Sequence, residues 1–467
     1  MNILTPEYAD NQNYFNECPS DDYDEYDNPQ NDSSIYILMK SFSERIELSD
    51  SPQQLNQILN CIDSFFYSYK KEYMAQILSN NNDFFSNLRV TCDKPDCFIT
   101  IKKIIKTIVR KSLENTNNSL IQLLERNGIV EKLYSIWISI APIDVDILYI
   151  FYKIIKKNPE YKQFFIDKKI LIDLFQFIQN YNNNNNNNVD NAIITFNVCK
   201  FFANFFRNNN CSLIEYVSVI KEITILYDRA YLFSYNDDKD IQNEIILKLW
   251  KSCIKAMDNF VNEPSKSRSL INLNFPSSLF RDLNSNDLFR LLWSKALPLI
   301  LKMFRSEHEN LDELADKYID LFVFLTIIEE KIPSYLINVS QILIALIDIN
   351  PSKYSPLLIS KGIMKEIFTQ INDLSFKEFK TITILYYNVF MNVTRNDAFT
   401  HLLDQDFIEK LVEVSGVERD PQAIKYLKEL LIIMYEITDN TPEIQSIIDA
   451  AFEEDGILYK TPKPLLI

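Results

Sequence analysis

One phrase recurs along this chain and limits what it can fold into: two apolar residues, three polar ones, a small or polar residue, then an apolar stretch. It reads Leu123-Leu124-Glu125-Arg126-Asn127-Gly128-Ile129-Val130-Glu131-Lys132-Leu133, and again Phe164-Phe165-Ile166-Asp167-Lys168-Lys169-Ile170-Leu171-Ile172-Asp173-Leu174. Further copies run from Leu291 to Leu301, from Leu357 to Ile367 and from His401 to Leu411, and a degraded copy surrounds Gly456. The hinge positions, Gly128, Lys169, Ala296, Gly362, Asp406 and Gly456, advance by 41, 127, 66, 44 and 50 residues. A step in the low forties is the period of stacked helical repeats, units too small to bury an apolar face alone.

Glycine usage agrees with helices. The 467 residues contain four glycines, whereas sheet proteins and nucleotide-binding α/β folds need glycine wherever the backbone takes a positive φ or approaches a phosphate. Apolar residues recur at helical spacing, as in Ile101, Ile104, Ile105 and Ile108. The expected fold is all-α, a right-handed α-solenoid. Five X-Pro pairs, Ser51-Pro52, Asn158-Pro159, Asn350-Pro351, Asp420-Pro421 and Thr441-Pro442, predict helix starts, because proline fits the first turn where its missing N–H costs nothing.

Charge divides the chain further. Residues 1–34 carry nine acidic and no basic groups. A segment this acidic and this poor in aliphatics cannot offset its ordering entropy, which predicts a disordered tail. The solenoid is expected over 35–467, with loop insertions at 181–190, around the asparagine run, and at 262–287, which is rich in Ser, Asn and Pro. Residues 98–169 hold thirteen basic and seven acidic groups within a total of −16. The total argues against nucleic acid as the principal ligand, while Lys102, Lys106 and Arg110, on one face of a helix, are candidates for binding an acidic partner or an anionic surface. The tail around Asp21 to Asp27 could then lie across that basic face.

Seven scattered cysteines read as reduced thiols, the first residues show no secretory signal, and no apolar run reaches the ~20 residues that span a bilayer. The expected location is the cytoplasm, with the nucleus as a second option. Cys92 and Cys97 have a metal-like spacing but no second pair nearby, and only two histidines exist, His308 and His401. No phosphate loop can be written with these glycines. No cofactor, no metal and no enzymatic activity are expected.

The segment Asn388-Val389-Phe390-Met391-Asn392-Val393-Thr394-Arg395-Asn396, followed by Leu402-Leu403 and Phe407-Ile408-Glu409-Lys410-Leu411, resembles the armadillo repeat. That resemblance implies a scaffold holding an extended segment or helix of another protein, with Asn204, Asn388, Asn392 and Arg395 as ligand-binding positions. Asparagine there would hydrogen-bond a ligand backbone; the alternative is a bond to its own helix. The importin-α type of nuclear transport adaptor reads basic peptides with a Trp/Asn ladder, and that ladder is absent: Lys200 with Asn204 and Asn388 with Asn392 occupy the matching positions. Glu436-Ile437-Thr438-Asp439-Asn440, Glu443 to Ile448 and Thr461-Pro462-Lys463-Pro464 look similar to the end of the ataxin-ten group, which implies a role in cytokinesis or cell survival.

Overall fold

A computed structural model describes residues 32–49, 51–68, 78, 81–111, 120–139, 144–183, 189–207, 213–230, 239–261, 264–285, 287–305, 311–370, 376–393, 408–412, 421–437 and 442–454. The expected tail lies outside these residues, apart from its last three. Among the described residues every regular element is helical. The chain divides into two compact units, residues 1–171 and 172–467.

In the first unit the helices are α1 (Asp32–Leu48), α2 (Pro52–Ser68), α3 (Asn82–Thr91), α4 (Phe98–Lys111), α5 (Leu120–Arg126), α6 (Ile129–Trp137), α7 (Val145–Lys157) and α8 (Tyr161–Asp167). The long helices α2, α4 and α7 pack side by side in one row, and α1, α3 and α6 form a second layer. Hydrogen bonds between adjacent repeats report the period. Thr100 Oγ1 donates to Asn56 Oδ1 (2.9 Å) and Thr107 Oγ1 to Asp63 Oδ1 (2.9 Å), both 44 residues apart. Asn87 Nδ2 donates to the Ser43 carbonyl at 3.1 Å, again 44 residues apart.

The second unit continues with α9 (Ile170–Asn183), which begins two residues before the division, α10 (Val189–Phe206), α11 (Leu213–Arg229), α12 (Lys239–Phe260), α13 (Pro264–Asn272), α14 (Phe275–Ser285) and α15 (Trp293–Phe304). Then come α16 (Leu311–Tyr318), α17 (Leu321–Glu329), α18 (Pro333–Ile349), α19 (Pro351–Ser360), α20 (Ile363–Phe368), α21 (Phe376–Phe390), α22 (Pro421–Ile437) and α23 (Pro442–Glu454). Here α10, α12, α15, α18, α21 and α22 form the row. All five X-Pro pairs start helices: α2, α19, α22 and α23 begin at the proline, and α8 begins two residues after Pro159. Ser51 Oγ accepts from the Gln54 amide at 3.2 Å, closing the first turn of α2.

The hinge of the phrase is a left-handed residue between two short helices. Gly128 (φ 64°), Lys169 (φ 59°) and Gly362 (φ 75°) adopt that conformation, which lets the chain turn without a gap and is the usual way a helix is stopped. Ala296 does not. It lies inside α15, and alanine, the best helix former with a Cβ that opposes the left-handed region, has no reason to break one. Asp406 and Gly456 lie outside the described residues. Asn274 (φ 59°) is a further left-handed hinge, outside the recurring phrase; it precedes Gly362 by 88 residues, twice 44.

That hinge corrects the 262–287 insertion. Residues 264–285 form α13 and α14. Pro264 is the first residue of α13 and Pro276 the second of α14, both first-turn positions. Leu270, Ile271, Phe275, Leu279 and Phe280 are buried, so the Ser and Asn residues that suggested a loop are the polar complement of amphipathic helices. At 181–190, α9 reaches Asn183 and α10 starts at Val189; 184–188 lie outside the described residues. The real irregularity is elsewhere. Asn182 to Glu222 spans 40 residues and Asp258 to Lys302 spans 44, but Ala203 to Asn259 spans 56 and Asp228 to Arg281 spans 53. About a dozen extra residues therefore enter between Asp228 and Asp258, where α12, at 22 residues, is the longest described helix.

The core is aliphatic and aromatic. Phe201, Phe202, Phe205 and Phe206 on α10 are all buried, as their spacing predicts.

Candidate partner-binding surface

Each row helix is buried against the second layer and against its row neighbours, and one stripe is left to solvent. These stripes, repeated from helix to helix, are the surface a solenoid offers to a ligand.

In the first unit the stripe of α4 contains Ile99, Lys103, Lys106 and Arg110. Lys102, expected to face a partner, is buried. Its ammonium pairs with Asp144 and lies 4.0 Å from Asp146. Asp144 also caps α7, accepting from the Asp146 and Ile147 amides at 3.0 Å each. Lys106 binds Asp146 at 2.9 Å and stands 4.9 Å from the centre of the Tyr149 ring. Arg110 stacks on Tyr67 at 4.8 Å. Lys102 and Lys106 thus use their charge to join one repeat to the next, while Arg110 turns to Tyr67 of α2.

The asparagines fall in the second unit. Asn204, buried in α10, donates to the Lys200 carbonyl at 2.8 Å. Asn392, exposed after the end of α21, donates to the Asn388 carbonyl at 2.7 Å. Both follow the bond to their own helix four residues back. Asn388 sits half-buried beside Asn392; Arg395 lies outside the described residues. All three tryptophans, Trp137, Trp250 and Trp293, are buried, so no indole is presented on a stripe.

Sequence reasoning missed the stripes of α10, α12 and α15. The Cys199 and Cys253 sulfurs lie 3.8 Å apart and Asn259 Nδ2 meets the Ala203 carbonyl at 2.6 Å, which sets the register between α10 and α12 at about 55 residues and places Lys200 level with Lys255. Lys302 Nζ meets Asp258 Oδ1 at 2.5 Å, a register of 44 that places Lys251 level with Lys295. Aromatic and polar groups extend the surface onto α21 and α22, where the Tyr387 and Tyr426 rings are 5.0 Å apart. The Tyr387 hydroxyl, hydrogen-bonded to Glu429 and partly desolvated, is pushed up to about 12.

Cys92 and Cys97 are buried, Cys97 Sγ faces the Pro52 carbonyl at 3.8 Å, and burial pushes the Cys92 thiol up to about 12. Among the described residues no group of three or more His, Cys, Asp or Glu side chains could hold a metal ion. No helix among them is long and apolar enough to cross a membrane.

No family profile and no curated protein matches the sequence. The fold does have solved likenesses. One is a chain of the structure described as Kap95p binding inducing the switch loops of RanGDP to adopt the GTP-bound conformation, with implications for nuclear import complex assembly. It matches with a TM-score of 0.56 at 11% identity, over 93% of this chain and 53% of that one. The chain thus spans about half the length of its structural neighbour. At this identity the likeness carries the fold alone, and with the hinge spacing and the repeat-to-repeat bonds it makes the chain an α-helical repeat protein of the solenoid class.

Proposed function

We propose that this protein is a non-catalytic scaffold of armadillo-like repeats whose row helices hold an extended segment or a helix of another protein. The observation that carries this reading is the succession of solvent-facing stripes on α10, α12, α15, α18 and α21, in a register set by the bonds between repeats. Such a surface supplies many small contacts in sequence, which is how solenoids recognise elongated ligands. The structural neighbour, described as Kap95p bound to RanGDP, is a precedent for a protein ligand on a related fold. The absence of a tryptophan from every described stripe supports a reader unlike the importin-α type. The cytoplasm, with the nucleus as a second compartment, is the setting proposed for it. An ataxin-ten-like role in cytokinesis or cell survival rests on the likeness of the residues from Glu436 to Ile448.

Photo-cross-linking in cells tests the reading. A photoreactive residue at Gln341, on the stripe of α18, is expected to trap a protein partner, and one at Lys361, on the hinge between α19 and α20, is expected to trap much less. Equal trapping at both positions would overturn a row-face site.

A further inference from the structure

Two cysteine sulfurs meet in the core of the second unit. Cys199 Sγ of α10 and Cys253 Sγ of α12 lie 3.8 Å apart, and both residues are buried. Small side chains flank them on the same two helices: Ala192, Thr195 and Ala203 on α10, and Ser252 and Ala256 on α12, all buried. Such residues let two row helices approach closely, and α10 and α12 share the most extensive packing of any helix pair among the described residues. Asn259 Nδ2 binds the Ala203 carbonyl at 2.6 Å, about one turn beyond the sulfurs. The two helices cannot slide past each other without breaking that bond.

A disulfide holds its sulfurs at about 2.05 Å. The gap between Cys199 and Cys253 is one that side-chain rotation at both ends can close. Among the described cysteines this is the pair whose sulfurs touch; Cys61 is exposed on α2, and Cys97 Sγ faces the Pro52 carbonyl. Burial, and then the hydrogen bond with Cys199, holds the Cys253 thiol well above its usual range. Thiolate is therefore scarce, and the pair rests as two thiols that bulky alkylating agents do not reach. Hydrogen peroxide differs in size. It is little larger than water and enters with the small local openings of a helix pair.

We infer that Cys199 and Cys253 are a reversible redox pair, joined as a disulfide between α10 and α12 by hydrogen peroxide and released by a small-molecule thiol. Oxidation takes two steps. One sulfur attacks a peroxide oxygen, the O–O bond breaks, and a sulfenic acid and one water form. The second sulfur attacks the sulfenic sulfur, the S–S bond forms, the S–O bond breaks, and a second water leaves. Two thiols thus lose two electrons and two protons, and one peroxide becomes two waters. The second step is fast because the partner sulfur is already in contact, so the sulfenic acid is captured before another peroxide converts it to sulfinic acid. Reduction runs through a mixed disulfide: two small-molecule thiols end as their own disulfide, and both cysteines recover their hydrogens. The bond joins residues 54 apart, across the irregular step between Asp228 and Asp258, and fixes the register of two row helices there. This property belongs to the chain itself and holds whether or not a partner occupies the row face.

The test treats the full chain with excess hydrogen peroxide near neutral pH. Remaining thiols are then blocked with N-ethylmaleimide in denaturant, and the chain is cut with trypsin without reduction. Trypsin cuts after Lys200, Lys251 and Lys255, so Cys253 lies in the short peptide Ser252 to Lys255 and Cys199 in the peptide ending at Lys200. Mass spectrometry should find these two joined, lighter than their sum by two hydrogens. The folded chain is expected to give this link about ten-fold or more above any other pairing, and to lose that preference when oxidised in concentrated urea. Dithiothreitol should remove the link. Cys253→Ala should abolish it and leave Cys199 to be trapped by dimedone as the sulfenic acid. The map of the unaltered chain decides the matter whether or not that variant folds. Both cysteines still open to the blocking reagent, in a sample where Cys61 has been oxidised, overturns the inference. Sulfinic acid at either position without the link overturns it too, as does a link no more abundant than one between Cys92 and Cys97. Amide exchange across α10 and α12 should slow several-fold in the oxidised chain and recover after dithiothreitol. A link that leaves exchange unaltered overturns the fixing of the register.

Discussion

Asn259 on α12 donates its side-chain amide to the carbonyl of Ala203, 2.6 Å away and 56 residues earlier in the chain. Ala203 lies in the last turn of α10, where the final four carbonyls of a helix have no partner of their own. The same device recurs. Lys157 Nζ reaches the carbonyl of Arg110 at 3.0 Å, Lys302 Nζ that of Asp258 at 2.9 Å, and Gln370 Nε2 that of Ile328 at 2.6 Å. In each case a later repeat caps the C-terminal end of a helix in the one before, so the helix end is satisfied only when the stack is assembled.

Removing such a cap should loosen the helix end it serves. Asn259→Ala and Gln370→Ala are each expected to cost about 1–2 kcal/mol, the penalty for a lost bond to a largely buried acceptor. Hydrogen exchange should quicken first in the last turns of α10 and α17 respectively. By contrast Asn392→Ala, which removes a bond at an exposed helix end, should change stability by less than about 0.5 kcal/mol. Equal losses at Asn259 and Asn392 would count against interhelical capping.

Asp144 does two jobs that can be separated. Asp144→Asn keeps an oxygen for the Asp146 and Ile147 amides but takes the counter-charge from Lys102, whose side chain is only 11% exposed. Asp144→Ala removes both. The alanine variant is expected to be less stable than the asparagine one by about 1 kcal/mol, the worth of an N-cap. Amide exchange at the start of α7 reads the difference, and identical exchange in the two variants would show that the cap contributes nothing.

The two hinge glycines offer a test of backbone strain with little packing change. A Cβ at Gly362 would meet no atom within 4 Å, and one at Gly128 would come 3.2 Å from Arg89 Cζ, the end of a flexible side chain. Gly362→Ala should therefore cost about 1–2 kcal/mol through its positive φ alone, and Gly128→Ala a similar amount. Lys169→Gly is the converse and should stabilise by up to about 1 kcal/mol. Urea denaturation of the three variants checks the order.

Thiol chemistry should follow burial. Cys61 is exposed, whereas Cys92, Cys97, Cys199 and Cys253 are buried, so iodoacetamide at pH 8 should modify Cys61 first among these five. The Cys92 thiol is raised from 9.0 to about 12 by burial. A raised acid is protonated in both states below its unfolded value, so its effect on stability is absent from the pH response there. Above pH 9 the unfolded chain ionises while the folded one resists, and stability falls as the pH climbs from 9 to 12. Cys92→Ala should flatten that part of the pH profile; an unaltered slope would contradict it.

Helix starts were legible residue by residue. Proline after Ser, Asn, Asp or Thr marked all five expected N-termini, because first-turn chemistry is local. Hinges were legible where the phrase held glycine, at Gly128 and Gly362, and at Lys169 through its spacing. They were misjudged at Ala296, where a matching apolar pattern belongs to a continuous row helix. Asn274 was hidden because its surroundings, rich in Ser and Asn, resemble a loop until the burial of Leu270, Phe275 and Leu279 is seen. The basic face of α4 was visible as a pattern, but the pattern could not show that Asp144 and Asp146, about 42 residues on, would turn toward it. Nor could linear charge counts find the cations of α10, α12 and α15, which are spread over more than a hundred residues among acidic neighbours.

The sequence by itself determined the helical class, the period in the low forties and most helix starts, since these depend on apolar spacing and on residues within one turn of each other. Only the tertiary structure decided which polar residues cap a neighbouring helix and which lysines pair between repeats. Those outcomes depend on the register between helices some forty to fifty-six residues apart, and that register is set by the packing of buried side chains, which no local pattern specifies.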